Sequence, residues 1–414
     1  MKHLLVVIVF VLSACCREYP PCECPATNTS DEGEPGTVER AATRKRPALE
    51  NAASNKEPAQ KPKNPDQNME QARSLLPPVF PEECKAKISP PPPTPHHRSW
   101  RELAKIRVGV SHLDTVDVST DETLLLTMSA NEGSIRIYDI VSRKLLGNFG
   151  MIPEGSFERG AAVFWRGRSA KQMFLFGGEQ GIFLHDARTG ELLGKLSDQP
   201  CWEMSWTEDN QYLVVNLPDI SSQSSRMVFF EATESNTLRE ARRYSFEDRV
   251  DGWDLSCDGR LFAATFYPTD DLRLYDLAPS DKPLLIWQTP APRYSNDVDI
   301  SPEGNLVAVG GDHLLLLNIQ EPENRSVFEK YNNNIDTVQF HPDGGAIVTT
   351  SYDGQVQLIR PSLDNPEMPR LKRLAHRGTA NVYGIAFYKN GSRMVTSSGD
   401  RTLRIWGHRG KQLP

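Results

Sequence analysis

The chain has 414 residues, 38% of them apolar, enough to bury a large core, and its formal charge of −7 offers no basic footprint for nucleic acid. About half of its 31 prolines fall before residue 100, which sets the N-terminal quarter apart from a globular remainder. Four of the seven cysteines crowd the first 24 residues, so cysteine chemistry is concentrated at the N-terminus.

Met1-Lys2-His3 is a short positive stretch, and Leu4 to Leu12 is an apolar run of nine residues. Nine residues are too few to cross a hydrocarbon core of about 30 Å, so the run reads as the centre of a signal peptide. It ends in Leu12-Ser13-Ala14-Cys15, which resembles the lipobox of bacterial lipoproteins. That resemblance implies cleavage after residue 14 and acylation of Cys15. Each buried methylene then contributes roughly 0.8 kcal/mol, enough in several chains for stable anchoring. Cys16 follows where enteric inner-membrane lipoproteins carry Asp, which leans toward the outer membrane. The plainer reading is an ordinary secretory cleavage site followed by a cysteine.

Residues 15–100 show no sustained apolar period. PPCECP, the acidic DEGEPG, the basic RKRP and the run PPPPTP predict a disordered, partly polyproline tether. As a random coil it spans on the order of 50 Å. Cys22 and Cys24 lack the two-residue spacer and the second ligand pair of a zinc site, and His96-His97 is an isolated pair.

From residue 101 onward one phrase recurs, clearest in Val382 to Trp406, VYGIAFYKNGSRMVTSSGDRTLRIW. It reads as three alternating strands joined by turns rich in Gly, Asn and Asp. Its first turn recurs as STDE at Ser119, TEDN at Thr207, SCDG at Ser256, SPEG at Ser301, HPDG at His341 and YKNG at Tyr388. A seventh unit between the first two has the longer turn RGRSAKQ. The period of about 40 to 49 residues is that of four-stranded propeller blades. An acid six positions before the end of the third strand recurs in five units: Glu132, Glu179, Asp312, Asp353 and Asp400.

HPDG, SGDRTLRIW and the endings IYD, LHD and LYD resemble the WD-repeat family of β-propellers over roughly residues 101–410. The resemblance implies an all-β, seven-bladed propeller occupying residues 101–414. Only the last unit has the Trp itself, with Gly407 in place of its Asp. A spare strand at about Leu103 to Val108 then closes the ring beside Thr402 to Trp406, leaving no open edge. The same pattern makes His376, Ser398, Asp400 and Trp406 a buried hydrogen-bonded set joining strands within one blade. No GxSxG, HExxH, phosphate loop or CxxC pair is present, so signature-based enzyme classes lack support. Cys201 and Cys257 lie at opposite ends of their blades and read as packed or idle thiols.

The position after the first apolar residue of each inner strand reads Asp114, Ala161, Trp202, Asp251, Asn296, Asp336 and Tyr383. By resemblance it lies at the channel mouth on the partner-binding face. The carboxylates with Trp202 and Tyr383 suit a cationic or amphipathic ligand; equally, Asp there caps the entering loop. Three residues further on stand Asp117, Asp254 and Asp299, which either share a cation in the channel or satisfy backbone donors of the next blade.

The expectation is therefore a non-enzymatic lipoprotein on the cell membrane or outer membrane, facing periplasm or exterior. Its monomeric propeller binds envelope or surface proteins and carries no cofactor, no metal and no nucleic acid. The alternative is a metal-assisted enzyme of lyase, lactonase or phosphatase type using channel carboxylates.

Overall fold

Short alternating runs broken every six to eight residues by Gly, Asn or Asp favour strands and tight turns over helices. The computed structural model describes residues 99–408, apart from 110–111, 130–131, 151–159, 168, 170, 220, 278–281, 330, 366–367 and 377–379. The chain divides into two compact units, Met1–Lys61 and Pro62–Pro414, and every described residue belongs to the second. The signal peptide and nearly all of the expected tether lie outside the described residues.

Within them, strands form seven antiparallel sheets of four, the blades of a seven-bladed β-propeller. The inner strands are Thr115–Val118, Ala161–Phe164, Glu203–Trp206, Arg249–Leu255, Asp297–Ile300, Ile335–Phe340 and Val382–Tyr388, numbered here as blades one to seven. Six blades are consecutive in sequence. The seventh joins Val382–Tyr388, Arg393–Ser398 and Thr402–His408 to Trp100–Arg107 from the other end of the chain. The closing strand thus starts at Trp100, three residues before the sequence suggests. It pairs antiparallel from Trp100 opposite His408 to Arg107 opposite Thr402, with a bulge between Glu102 and Ala104. Trp100 is wholly buried, its ring edge-on to His341 at 5.9 Å.

The first-turn phrase has a common physical basis. In five units the carbonyl of the first residue accepts the N–H of the fourth at 2.7–2.8 Å, as from Gly259 to Ser256 and from Gly344 to His341. The fourth residue has positive φ, +66° and +70° in those two cases, which Gly adopts freely. At Ser119, Thr207, Ser256 and Ser301 the side-chain hydroxyl also accepts the N–H five residues on. Ser or Thr at the first position and Gly or Asn at the fourth are therefore favoured locally, before any packing, although His341 and Glu122 make the same turn.

The core lies between blades. One cluster joins Ala263, Leu272 and Leu274 of blade four to Val298, Val307 and Leu315 of blade five, and similar layers run around the ring. Full burial of each such aliphatic side chain contributes about 1.5–3 kcal/mol.

Candidate functional site

Each inner strand starts at one end of the ring and runs to the end that carries the first turns. Its opening residues therefore stand at the channel mouth. In three blades the expected position is also the site of a β-bulge. The pairing register shifts between Val250 and Trp253, between Ile335 and Thr337, and between Val382 and Gly384. Asp251, Asp336 and Tyr383 are the residues displaced. A bulge takes a side chain out of the regular alternation and re-aims it. At Thr337 and Gly252 the N–H after the bulge bonds a threonine hydroxyl, of Thr350 at 3.2 Å and Thr265 at 3.1 Å.

Four neighbouring blades converge there. The Tyr383 hydroxyl lies 2.9 Å from His112 Nδ1, with the rings 5.8 Å apart. The Thr337 hydroxyl donates to the Tyr383 carbonyl at 2.6 Å, tying blade six to blade seven. Asn296 Nδ2 donates to the Tyr352 hydroxyl at 3.4 Å, and Tyr352 in turn bonds Asp336. Burial pushes the Asp336 carboxyl up to about 7, and the negative charge of Asp114 adds to the shift. Burial likewise raises the Tyr383 phenol to about 12, with Asp336 and Asp114 contributing. Asn296, Asp336, Tyr383 and Asp114 therefore form one cluster, completed by His112 and Tyr352.

Trp202 and Asp251 belong to blades three and four, outside that cluster. Trp202 is half-buried. Asp251 pairs with Arg249 at 2.9 Å, and that guanidinium stacks 4.3 Å from the Tyr267 ring. The six residues do not make an even ring: one arc is acidic and phenolic, and the other has its Asp compensated locally. Tyr352 lies in a turn outside the repeat position and carried no sequence signal.

Deeper in the channel, carboxylates clamp neighbouring blades. Asp117 accepts the Phe164 N–H at 2.7 Å, Asp254 the Ile300 N–H at 2.8 Å, and Asp299 the Phe340 N–H at 2.5 Å. Asp117 also pairs with Arg166 at 2.6 Å. Asp297 accepts the Val338 N–H at 2.9 Å, and Glu203 accepts the Trp253 indole N–H at 2.9 Å. Asp117, Asp254 and Asp299 thus satisfy backbone donors of the next blade, one of their two sequence readings. Among the described residues no group of three or more His, Cys, Asp or Glu is placed to hold a metal ion. Burial raises Asp254 to about 7 and Asp299 well above the usual range, and the two are hydrogen-bonded to each other.

In blade seven His376 Nδ1 lies 3.1 Å from Asp400, and its Nε2 lies 2.8 Å from the Thr396 hydroxyl. Trp406 Nε1 donates to that same hydroxyl at 2.8 Å. A carboxylate can only accept, so Nδ1–H faces Asp400, and Nε2 of the neutral ring accepts the Thr396 hydroxyl proton. This corrects the expected set: the hydroxyl joining histidine to tryptophan is Thr396, not Ser398. Ser398 instead donates to the Asn381 carbonyl and accepts the Asp400 N–H. Its place at the strand end, next to the turn, gives it loop groups to bond. Arg404 extends the set, bonding Asp400, the Ala375 carbonyl and Glu102 of the closing strand, each at 2.9 Å.

Cys201 is a free, fully buried thiol whose pKa burial pushes up. Cys257 is disulfide-bonded, which corrects the expectation of an idle thiol there.

A search of curated proteins returns no match to the chain. Residues 323–360 and 369–407 match the WD domain, G-beta repeat. Each match starts in the outer strand of one blade and ends in the third strand of the next, the offset of a WD repeat against its blade. The chain thus carries two WD repeats within a seven-bladed propeller, a fold that generally serves protein–protein interaction.

Proposed function

We propose that the chain is a lipid-anchored extracytoplasmic protein whose propeller binds a protein partner at the channel mouth. The arc of blades five, six, seven and one receives a basic or amphipathic segment of that partner. The bulges at Asp336 and Tyr383 carry this reading, because they re-aim an acid and a phenol at neighbouring points of the mouth. A loop-capping role for the same position accounts for neither the tyrosine nor Trp202. Two features support the address: the LSAC run, and the disulfide at Cys257, since such bonds persist in oxidising compartments.

The address is tested by Cys15→Ala, which leaves the chain unprocessed or soluble; normal processing with full membrane retention after a carbonate wash refutes it. For the mouth, a partner is first captured from solubilised envelopes and then titrated at two ionic strengths. Tyr383→Ala weakens binding by about 2 kcal/mol, the scale of aromatic hot spots. Asp336→Asn flattens the salt dependence instead. Unchanged affinity in both folded variants moves the partner to another surface.

A further inference from the structure

We propose that the outer rim of blades one and two is a lipid-contact surface, on which the propeller seats against the bilayer that holds the anchor. The occupant follows from the lipid-anchored reading; the surface stands on the propeller's own residues.

Five large apolar side chains gather there in the open: Val141, Leu145, Leu146, Leu192 and Leu193, each 39–55% exposed. They stand at the end of the ring that carries the first turns. Leu145 opposes Tyr138, which opposes Leu125, which opposes Val118, the residue before the first turn. The two blades present one continuous surface, because the Phe149 ring of blade one lies on Gly190 of blade two. A Cβ at Gly190 would fall 2.1 Å from that ring.

Strand geometry does not require these leucines. The outer strands of blades one, two, three and six are Leu145–Gly150, Leu192–Ser197, Leu238–Phe246 and Arg370–Ala375. Each carries a bulge at the same place, and the residue left unpaired is Leu146, Leu193, Ala241 or Leu371. In blade three it stands between Glu240 and Arg242, and in blade six Leu371 is buried between Arg370 and Lys372. In blades one and two the position reads Leu-Leu-Gly, with both leucines exposed. The bulge also blunts the edge against an added strand, so the rim offers side chains and not backbone.

Charge and chain direction point to a lipid surface. Arg143, Lys144, Lys171 and Arg188 surround the leucines, all exposed. Of the acids nearby, Asp121, Asp139 and Asp186 accept N–H groups of their own turns, and Glu191 stands outward. An apolar centre with a cationic border suits the headgroup and acyl boundary of an anionic bilayer. The first strand joins the ring at the same end, Trp100 opposing His408 in blade seven, which packs beside blade one. The N-terminal segment therefore leaves the ring next to the leucines. Leu284 and Leu285 of blade four, exposed at that end too, extend the rim along an arc that a plane meets. A single partner segment would have to pass blade three to reach them.

The test is flotation of residues 15–414 carrying Cys15→Ala, so that no acyl chain contributes, with vesicles of phosphatidylcholine and about one-third phosphatidylglycerol. This parent floats with the vesicles. Leu146→Gln with Leu193→Gln lowers the partition coefficient about tenfold or more, while the melting temperature stays that of the parent. Arg143→Gln with Lys144→Gln lowers it on the mixed vesicles and not on pure phosphatidylcholine. Ala241→Gln, at the same bulge in blade three, leaves it unchanged. Acylation of Cys15 is read separately, by processing of the full chain, so either reading can fail alone. A parent that does not float overturns the proposal, as does equal flotation of the leucine variant. So does a parent that light scattering shows to be a dimer dissolved by the leucine substitutions, since a second copy then covers the rim.

Discussion

Blades five and seven have the same four-stranded form, but polar side chains take a far larger share of the interior of blade seven. Blade five packs Val307, Ala308, Val309, Leu314, Leu316 and Leu317, all fully buried and apolar. Blade seven buries Arg393, Thr396, Ser397, Ser398, Thr402 and Arg404, with His376 beside them. Their connectivity differs in step. Blade five is folded from consecutive residues, and tight turns set its register. Blade seven takes its outer strand from the far end of the chain, so that Arg404 meets Glu102 across 302 positions. A slip of one residue there would reverse every face of the strand. The apolar face of Ala104, Ile106 and Val108 already opposes such a slip, and directional polar contacts add to that discrimination. The polar set lies where register is least determined by local sequence.

The largest expected effect comes from removing the closing strand. Deleting residues 101–109 takes away Ala104, Ile106 and Val108 and frees Trp100, roughly 5 kcal/mol of burial against a typical total of 5–15. The open edge of Thr402–His408 then destabilises the whole ring, read as loss of the cooperative thermal transition and as association in solution. A monomer melting at the parental temperature would show that blade seven needs no outer strand.

A smaller and sharper contrast uses substitutions of nearly constant volume. Thr396→Val leaves the indole N–H of Trp406 and Nε2 of His376 without their shared partner in a buried site. That costs about 2–6 kcal/mol, since each of the two orphaned groups costs roughly 1–3. Leu316→Ile in blade five changes shape only and costs less than about 1.5 kcal/mol. Chemical denaturation of both variants decides the matter, and equal losses would remove any special role for the polar set.

Blade count, ring closure and strand order were legible in the sequence because turn chemistry is local. Ser119, Ser256, Gly259 and Gly344 announce their conformation whatever surrounds them. Thr396 was not separable from Ser398: both are buried hydroxyl residues on the same face of one strand, and only the register against Trp406 distinguishes them. The mouth was legible as a repeat position but not as an arc. Whether a carboxylate is compensated depends on Arg249 or on Asp114, and those contacts follow from blade geometry. Cys257 was misjudged because a disulfide depends on where a distant cysteine lies, which spacing alone does not give.

The smallest effect separates the two blades by sign. His376 in blade seven has its pKa lowered by burial, against an ordinary 6.5. Below pH 6.5 the unfolded chain binds the proton more readily, so this residue destabilises the fold progressively as pH falls through that value. Asp297 in blade five has its carboxyl raised well above 3.8, by burial first and then by Glu203, Asp254 and Asp336. There the folded chain holds the proton, so stability declines as pH rises from about 3.8 through the raised value. Asp254, Asp299 and Asp336 add the same sign, so the parent's slope alone identifies neither blade. Differences do. Melting temperatures across pH 5 to 7.5 should show His376→Gln gaining on the parent toward the acid end. Asp297→Asn, which keeps an oxygen for the Val338 N–H, should gain toward the alkaline end, each by about 2–4 °C. Curves parallel to the parent in both variants would mean that neither group changes its proton affinity on folding, and blades five and seven would then differ in packing alone.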